Sequence, residues 1–218
     1  MNQVFIAILE GITAFVATNI DDLLILLIFF GQVKEEKIAK NHVIIGTYLG
    51  LIILILLSLV GYFGGLIISS KWIGLLGILP IIIGIQQLFN NDSDETELQT
   101  ISSEYVQPKH DRAILNFFYQ LLHPQTYKVA LITFANGGDN IGVYVPLFAG
   151  SNLLSLLIII AVFLILKGVW CYLAYRLINN QKFAHVITNY CQQFVPYILI
   201  ALGLFIFWKN GTFTLINF

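Results

Sequence analysis

The chain has 218 residues, 58% hydrophobic and only 11% charged, with a net charge of -1 and a mean hydropathy of +0.84. So few charges exclude an ordinary soluble domain, where about a quarter of residues are charged, and the near-zero balance excludes a nucleic-acid partner or a polybasic lipid-binding face. No GxxxxGK[ST] loop or GxGxxG fingerprint appears, so no nucleotide-driven motor of those types is built in.

A helix needs roughly 20 apolar residues to cross about 30 Å of hydrocarbon. Windows of that kind run over 4–30, 43–68, 72–89, 128–149, 153–178 and 194–208. They predict an all-α integral membrane protein with six transmembrane helices embedded in a lipid bilayer. The first window lacks a basic leader and is too long for a signal peptide, so it reads as a retained span. It is interrupted by "TNIDDLLIL", which holds Asn19, Asp21 and Asp22. The second carries two GxxxG pairs, Gly46 with Gly50 and Gly61 with Gly65, which favour close helix packing. After the third comes "NNDSDETELQTISSEYVQPKHD", acid-rich and without hydrophobic periodicity, a solvated linker over 91–112. In the fourth, Gly137 and Gly138 weaken the helix before Asp139, and Pro146 can kink it. The fifth buries Lys167, and Pro196 suits the first turn of the sixth. Cys171 and Cys191 have no CxxC spacing and read as small hydrophobes.

Three loops hold eight Lys and Arg: Lys34, Lys37 and Lys40, then Lys109, Arg112 and Lys128, then Arg176 and Lys182. The opposite side has Lys71 and Lys209 alone. The positive-inside rule places the three basic loops in the cytoplasm and both termini outside, as in a multi-pass protein of the cytoplasmic membrane.

The chain looks internally doubled. Asn19 and Asp22 in "TNIDDLLIL" share an N-x-x-D spacing with Asn136 and Asp139 in "ANGGDNIGV", and spans three and six both carry Pro followed by Gly. Residues 1–90 and 113–218 are expected to form two three-helix repeats. Because three is odd, the second copy enters from the opposite face, giving inverted repeats with a site near the midplane.

An ionisable group in mid-span costs about 2.5 to 3.5 kcal/mol on insertion scales and marks a functional site by default. The i, i+3 spacing sets Asn19 beside Asp22, and Asn136 beside Asp139, on one face of each helix. Each face offers a carboxylate and an amide carbonyl, so the two together form an oxygen-lined cation site whose metal ligands are Asn19, Asp22, Asn136 and Asp139. Thr18 and Asn140 add neutral oxygens. Asp21 lies about 100° around the helix from Asp22; it contacts the ion, carries a coupling proton, or pairs with Lys167, which otherwise snorkels to the interface. The bland alternative is a buried polar network that only glues helices, a job usually done by Ser, Thr or Asn. Glu10 reads as an interfacial carboxylate or one that lines an exit, and Trp170 as an interface or packing aromatic.

At "TNIDDLLILLIFF", "GLLGILPIIIGI", "FANGGDNIGVYVPLFA" and "VPYILIALGLFIF" the chain resembles the cadmium-resistance transporter (CadD-like) family of the lysine-exporter superfamily. The resemblance implies a bacterial exporter of divalent heavy metal such as cadmium, with Asn19, Asp22, Asn136 and Asp139 at motif positions. The oxygen donors themselves suit harder ions such as manganese, calcium or magnesium, since no Cys lies in either motif.

Export of a divalent ion against an inside-negative potential costs about 4.6 kcal/mol per 100 mV. Without a nucleotide site an ion gradient must supply it, and protons competing with metal for the same carboxylates make the expected mechanism proton antiport. The expected partners are thus a divalent metal ion and protons; no cofactor is expected beyond the transported ion, and a homo-oligomer is compatible with this reading. The alternatives are an exporter of an organic cation or basic amino acid and a membrane-embedded enzyme. The second is disfavoured because His42, His110, His123 and His185 all fall in or near loops rather than in a mid-span metal set.

Overall fold

A computed structural model describes residues 3–89, 123–178 and 181–212, the side chains of 70, 71 and 181–192 excepted. The linker over 91–112 lies outside the described residues, as do Lys109, Arg112 and the side chains of Lys71, Lys182 and Cys191. Every regular element among the described residues is helical: α1 Gln3–Asn19, α2 Asp22–Lys34, α3 Lys40–Ile67, and α4 Ser70–Ile73, which continues through a 3-10 turn Gly74–Gly77 into α5 Ile78–Phe89. Then follow α6 Pro124–Asn136, α7 Asn140–Ala149, α8 Leu153–Leu177 and α9 Gln181–Lys209.

Two of these, α3 and α8, are single helices long and apolar enough to cross a membrane; α1 and α2 make a third only as a pair bent by 63°. On length and composition the described helices thus supply two or three candidate spans where the hydropathy windows count six. The other apolar helices among the described residues, Gly74–Phe89, Asn140–Ala149 and Gln193–Lys209, are shorter. Hydropathy windows register apolar content and pass over helix breaks, which is why the break in the first window, unlike the glycine-marked one in the fourth, does not show in them.

The break in span one has a local cause. Thr18 Oγ1 donates to Ala14 O at 2.9 Å and Asn19 Nδ2 donates to Phe15 O at 3.1 Å. These side chains compete for the last-turn carbonyls and offer the backbone an exit from the helix. The new helix then starts on two carboxylates, Asp21 at the N-cap position and Asp22 in the first turn, where the positive end of the helix dipole favours them. The second break repeats the plan. α6 ends at Asn136, Asp139 takes the N-cap position of α7, and its backbone (φ -69, ψ -27) nearly matches that of Asp21 (φ -68, ψ -32). Neither carboxylate caps its own helix, so both are left to face elsewhere.

Helix pairing rests on glycine. α3 packs along α6 and α7, α8 along α1 and α2, and α5 along α9. A Cβ on Gly46 would come within 2.6 Å of Thr126 O, one on Gly61 within 2.2 Å of Val145 O, and one on Gly65 within 2.3 Å of Ala149 O. The GxxxG pairs thus do serve close packing, against α6 and α7. Gly84 meets Pro196 O in the same way at 2.7 Å. Pro196 lies inside α9 and not in its first turn, because the preceding "NYCQQF" is itself helical. At the other end of α6, His123 caps the helix: its Nδ1 accepts from Gln125 N at 3.2 Å, and Pro124 fills the first turn. Burial lowers the imidazole pKa of His123, which keeps that nitrogen a neutral acceptor.

Apolar side chains such as Leu56, Val60, Phe63 and Ile67 on α3 and Ile165 on α8 are exposed, as expected of a surface solvated by lipid. Inside, Phe15, Tyr144, Phe148 and Phe163 form an aromatic core that joins α1, α7 and α8. Glu10 is buried within the protein, and its Oε1 pairs with Lys209 Nζ at 2.6 Å, while its Oε2 has no partner. Lys209→Met should destabilise the protein toward the lower end of the about 3–5 kcal/mol typical of a broken buried pair, since the Lys209 side chain keeps 29% exposure. Adding Glu10→Gln should recover most of that loss, as read by thermal unfolding in detergent.

Candidate metal centre

The two helix breaks face each other. Asn136 Nδ2, at the end of α6, donates to Asp22 Oδ1 at 2.8 Å and to Asp21 Oδ2 at 3.2 Å. Asn140, at the start of α7, is fully buried, and with its amide oriented as its neighbours require, its nitrogen donates to Thr18 O at 2.8 Å and to Asp139 Oδ1 at 3.3 Å. Tyr144 OH, one turn further along α7, shares a hydrogen bond with Thr18 Oγ1 at 3.1 Å and accepts from Asn19 Nδ2 at 2.9 Å. Thr18 and Asn19, at the end of α1, are thus tied to α7.

Span five supplies the counter-charge. Lys167 is completely buried, and its ammonium forms an ion pair with Asp22 Oδ2 and donates to Asn19 Oδ1 at 3.5 Å. One turn along α8, Trp170 Nε1 donates to Asn19 O at 2.7 Å and so takes up a carbonyl freed by the break. Lys167 therefore neither snorkels nor pairs with Asp21. In a low-dielectric interior an ammonium within hydrogen-bonding reach of a buried carboxylate is held there by a Coulomb term that a route to the interface would forfeit.

The expected i, i+3 face of Asn19 and Asp22 does not exist as such. Asn19 closes one helix and Asp22 opens the next, so they converge across a kink, held by Lys167; Asn136 likewise closes a helix and Asp139 stands at the N-cap of the next. Of the sequence-derived residues, Thr18, Asn19, Asp21, Asp22, Asn136, Asn140 and Lys167 are joined in one hydrogen-bonded network. Asp139 stands at its rim with an exposed side chain, linked through Asn140. Among the described residues no three carboxylate, thiolate or imidazole groups stand close enough together to hold a metal ion. Cys171 is buried beneath the site on α8 as a free thiol.

The family model described as cadmium resistance transporter matches residues 15–218. The chain belongs to the cadmium resistance transporter family. The match takes in both helix breaks, Lys167 and Trp170, and it makes the chain a membrane transporter for metal efflux and not an enzyme. No match is found among curated proteins or among solved structures. For a cadmium resistance transporter the notable additions to the sequence-derived set are Tyr144 and Trp170. Both bring a polar tip into an apolar span, and such a tip needs a partner when buried. That was the one available signal, and it does not say where the partner lies.

Proposed function

We propose that this chain exports a divalent metal cation across the cytoplasmic membrane by proton antiport, with the ion held where the two broken spans meet. The observation that carries the reading is the amide of Asn136, at the break in span four, bonded to the carboxylates of both Asp21 and Asp22, at the break in span one. Discontinuous helices at a repeat interface place carbonyl-bearing helix ends around a cation. Here α1 and α6 turn their negative ends to the site, and the carboxylates lie at the starts of α2 and α7. The ion would take Asp22 and Asp139 as charged ligands, with the carbonyl oxygen of Asn19 and, once its amide turns, that of Asn136, and Thr18 and Asn140 nearby.

The same reading places the chain in the CadD-like branch of the lysine-exporter superfamily, with six spans as two inverted repeats and both termini outside. Two facts support the doubling. Exchanging spans one and four, two and five, and three and six maps the observed pairing onto itself, since span two packs on four, five on one, and three on six. The matched backbone angles at Asp21 and Asp139 point the same way.

Protons and metal compete for the same carboxylates, so metal affinity should fall as pH falls. The test uses proteoliposomes loaded with a pH-sensitive dye and given an imposed pH gradient. Adding cadmium or manganese on the side opposite the protons should dissipate the gradient in step with metal uptake. Metal uptake that leaves the gradient intact would refute antiport, and no uptake of any divalent metal would refute the function.

A further inference from the structure

We propose that Lys167 is a built-in competitor for the transported cation: its ammonium takes the place of the ion at Asp22 and Asn19, and the ion binds by displacing it. This rests on the reading of the site as a cation centre and adds the residue that controls its occupancy. Three observations carry it.

The first is the identity of the oxygens. Lys167 Nζ contacts Asp22 Oδ2 and Asn19 Oδ1, the carboxylate and the amide carbonyl that the N-x-x-D motif of span one offers to a cation. Asn19 is oriented for this role, because its amide nitrogen is spent on Phe15 O, Thr18 Oγ1 and Tyr144 OH, which turns its carbonyl toward the ammonium. The second is occupancy. Asp22 Oδ1 accepts from Asn136 and Oδ2 pairs with Lys167, so a metal ion that approaches Oδ2 meets the like charge of the ammonium on the same oxygen. The third is burial. Lys167 has no exposure and the Asp22 side chain has 4%, so this pair is shielded from water and screens little.

An internal ligand lowers the apparent affinity for an external one by the fraction of molecules in which it has let go. Lys167 thus keeps the site electrically compensated while the ion is away, which a buried carboxylate requires, and it holds metal binding weak enough for release. It also couples the ion to a movement of span five against the break in span one, since the displaced ammonium must leave the contact between α8 and α2.

The experiment is calorimetric titration of purified full-length protein in detergent with cadmium and with manganese, at neutral pH. Lys167→Met removes the charge at similar length, and Lys167→Gln keeps a hydrogen-bond donor for Asp22. Both should bind metal about tenfold or more tightly than the unsubstituted protein, the scale of one hydrogen bond to a charged group. Lys167→Arg keeps a cation in place and should bind no more tightly. A purely structural lysine would give equal or weaker binding in folded Met and Gln variants, and that result overturns the proposal, as does an Arg variant as tight as the Met variant. A variant that folds only when purified with metal supports it; one that neither ion rescues overturns it. Loss of binding in Asp22→Asn, with Lys167 variants no tighter, sinks the competitor alone. An unsubstituted protein that binds neither ion, or an Asp22→Asn variant that binds as well as it does, sinks the cation centre with it.

Discussion

Asp22→Asn and Asp139→Asn should each abolish metal transport in proteoliposomes, with initial rates down by about 100-fold or more. Losing a group that merely supports a metal ligand already costs about 10- to 100-fold in affinity, and a charged ligand should cost at least the top of that range. The two substitutions have different structural consequences, which makes the pair informative. Asn at 22 leaves Lys167 buried without its carboxylate, a change worth about 3–5 kcal/mol in stability. Asp139 is exposed at the rim, so Asn there should leave the unfolding temperature near its original value. If transport fails in both while only the first is destabilised, the loss belongs to the ion and not to the fold. The double variant Asp22→Asn with Lys167→Met removes both buried charges. It should regain stability and remain inactive. Normal transport by Asp139→Asn would confine the site to span one.

Gly65→Ala should be poorly folded, whereas Gly64→Ala, its neighbour in the chain, should be slightly stabilised. A Cβ at 65 would lie 2.3 Å from Ala149 O and 3.0 Å from its carbonyl carbon, and backbone cannot swing aside as a side chain can. Overpacking typically costs about 1–3 kcal/mol where side chains adjust, so a clash with backbone should reach about 3 kcal/mol or more. Gly61, 2.2 Å from Val145 O, should behave like Gly65. At Gly64 a Cβ meets nothing within 4 Å, and replacing Gly by Ala inside a helix gains about 1 kcal/mol of intrinsic propensity. The effect reaches the site because α7, the helix that Gly61 and Gly65 hold close, begins at Asn140 and carries Tyr144. Thermal unfolding and the yield of monodisperse protein in detergent measure the contrast.

Much of the site can be read from sequence for a simple reason: polar groups in apolar windows are conspicuous. Asn19, Asp22, Asn136 and Asn140 stand out, and the matching N-x-x-D spacing suggests that the two places belong together. The break in span four is also legible, since Gly137 and Gly138 lower the helix preference there. The break in span one is not. Ile20, Asp21 and Asp22 include neither Gly nor Pro, and the helix ends because Thr18 and Asn19 turn back on its carbonyls, a choice that depends on Tyr144 and Trp170 waiting across the interface. Lys167 shows the same limit. Snorkelling and pairing differ only in where a carboxylate 145 residues away comes to lie, and no local pattern holds that information. The pairing of Glu10 is equally invisible, because its partner Lys209 is 199 residues distant.

The central claim is that the ion is bound by oxygens at the two facing helix breaks. X-ray absorption at the metal edge of cadmium-loaded protein tests it most directly, since sulfur and oxygen neighbours scatter differently. The account predicts a first shell of oxygen alone in the unsubstituted protein and loss of that bound metal in Asp22→Asn. A sulfur neighbour, which would bring the buried Cys171 of α8 or Cys191 into the shell, or an unchanged oxygen shell in Asp22→Asn, would contradict it.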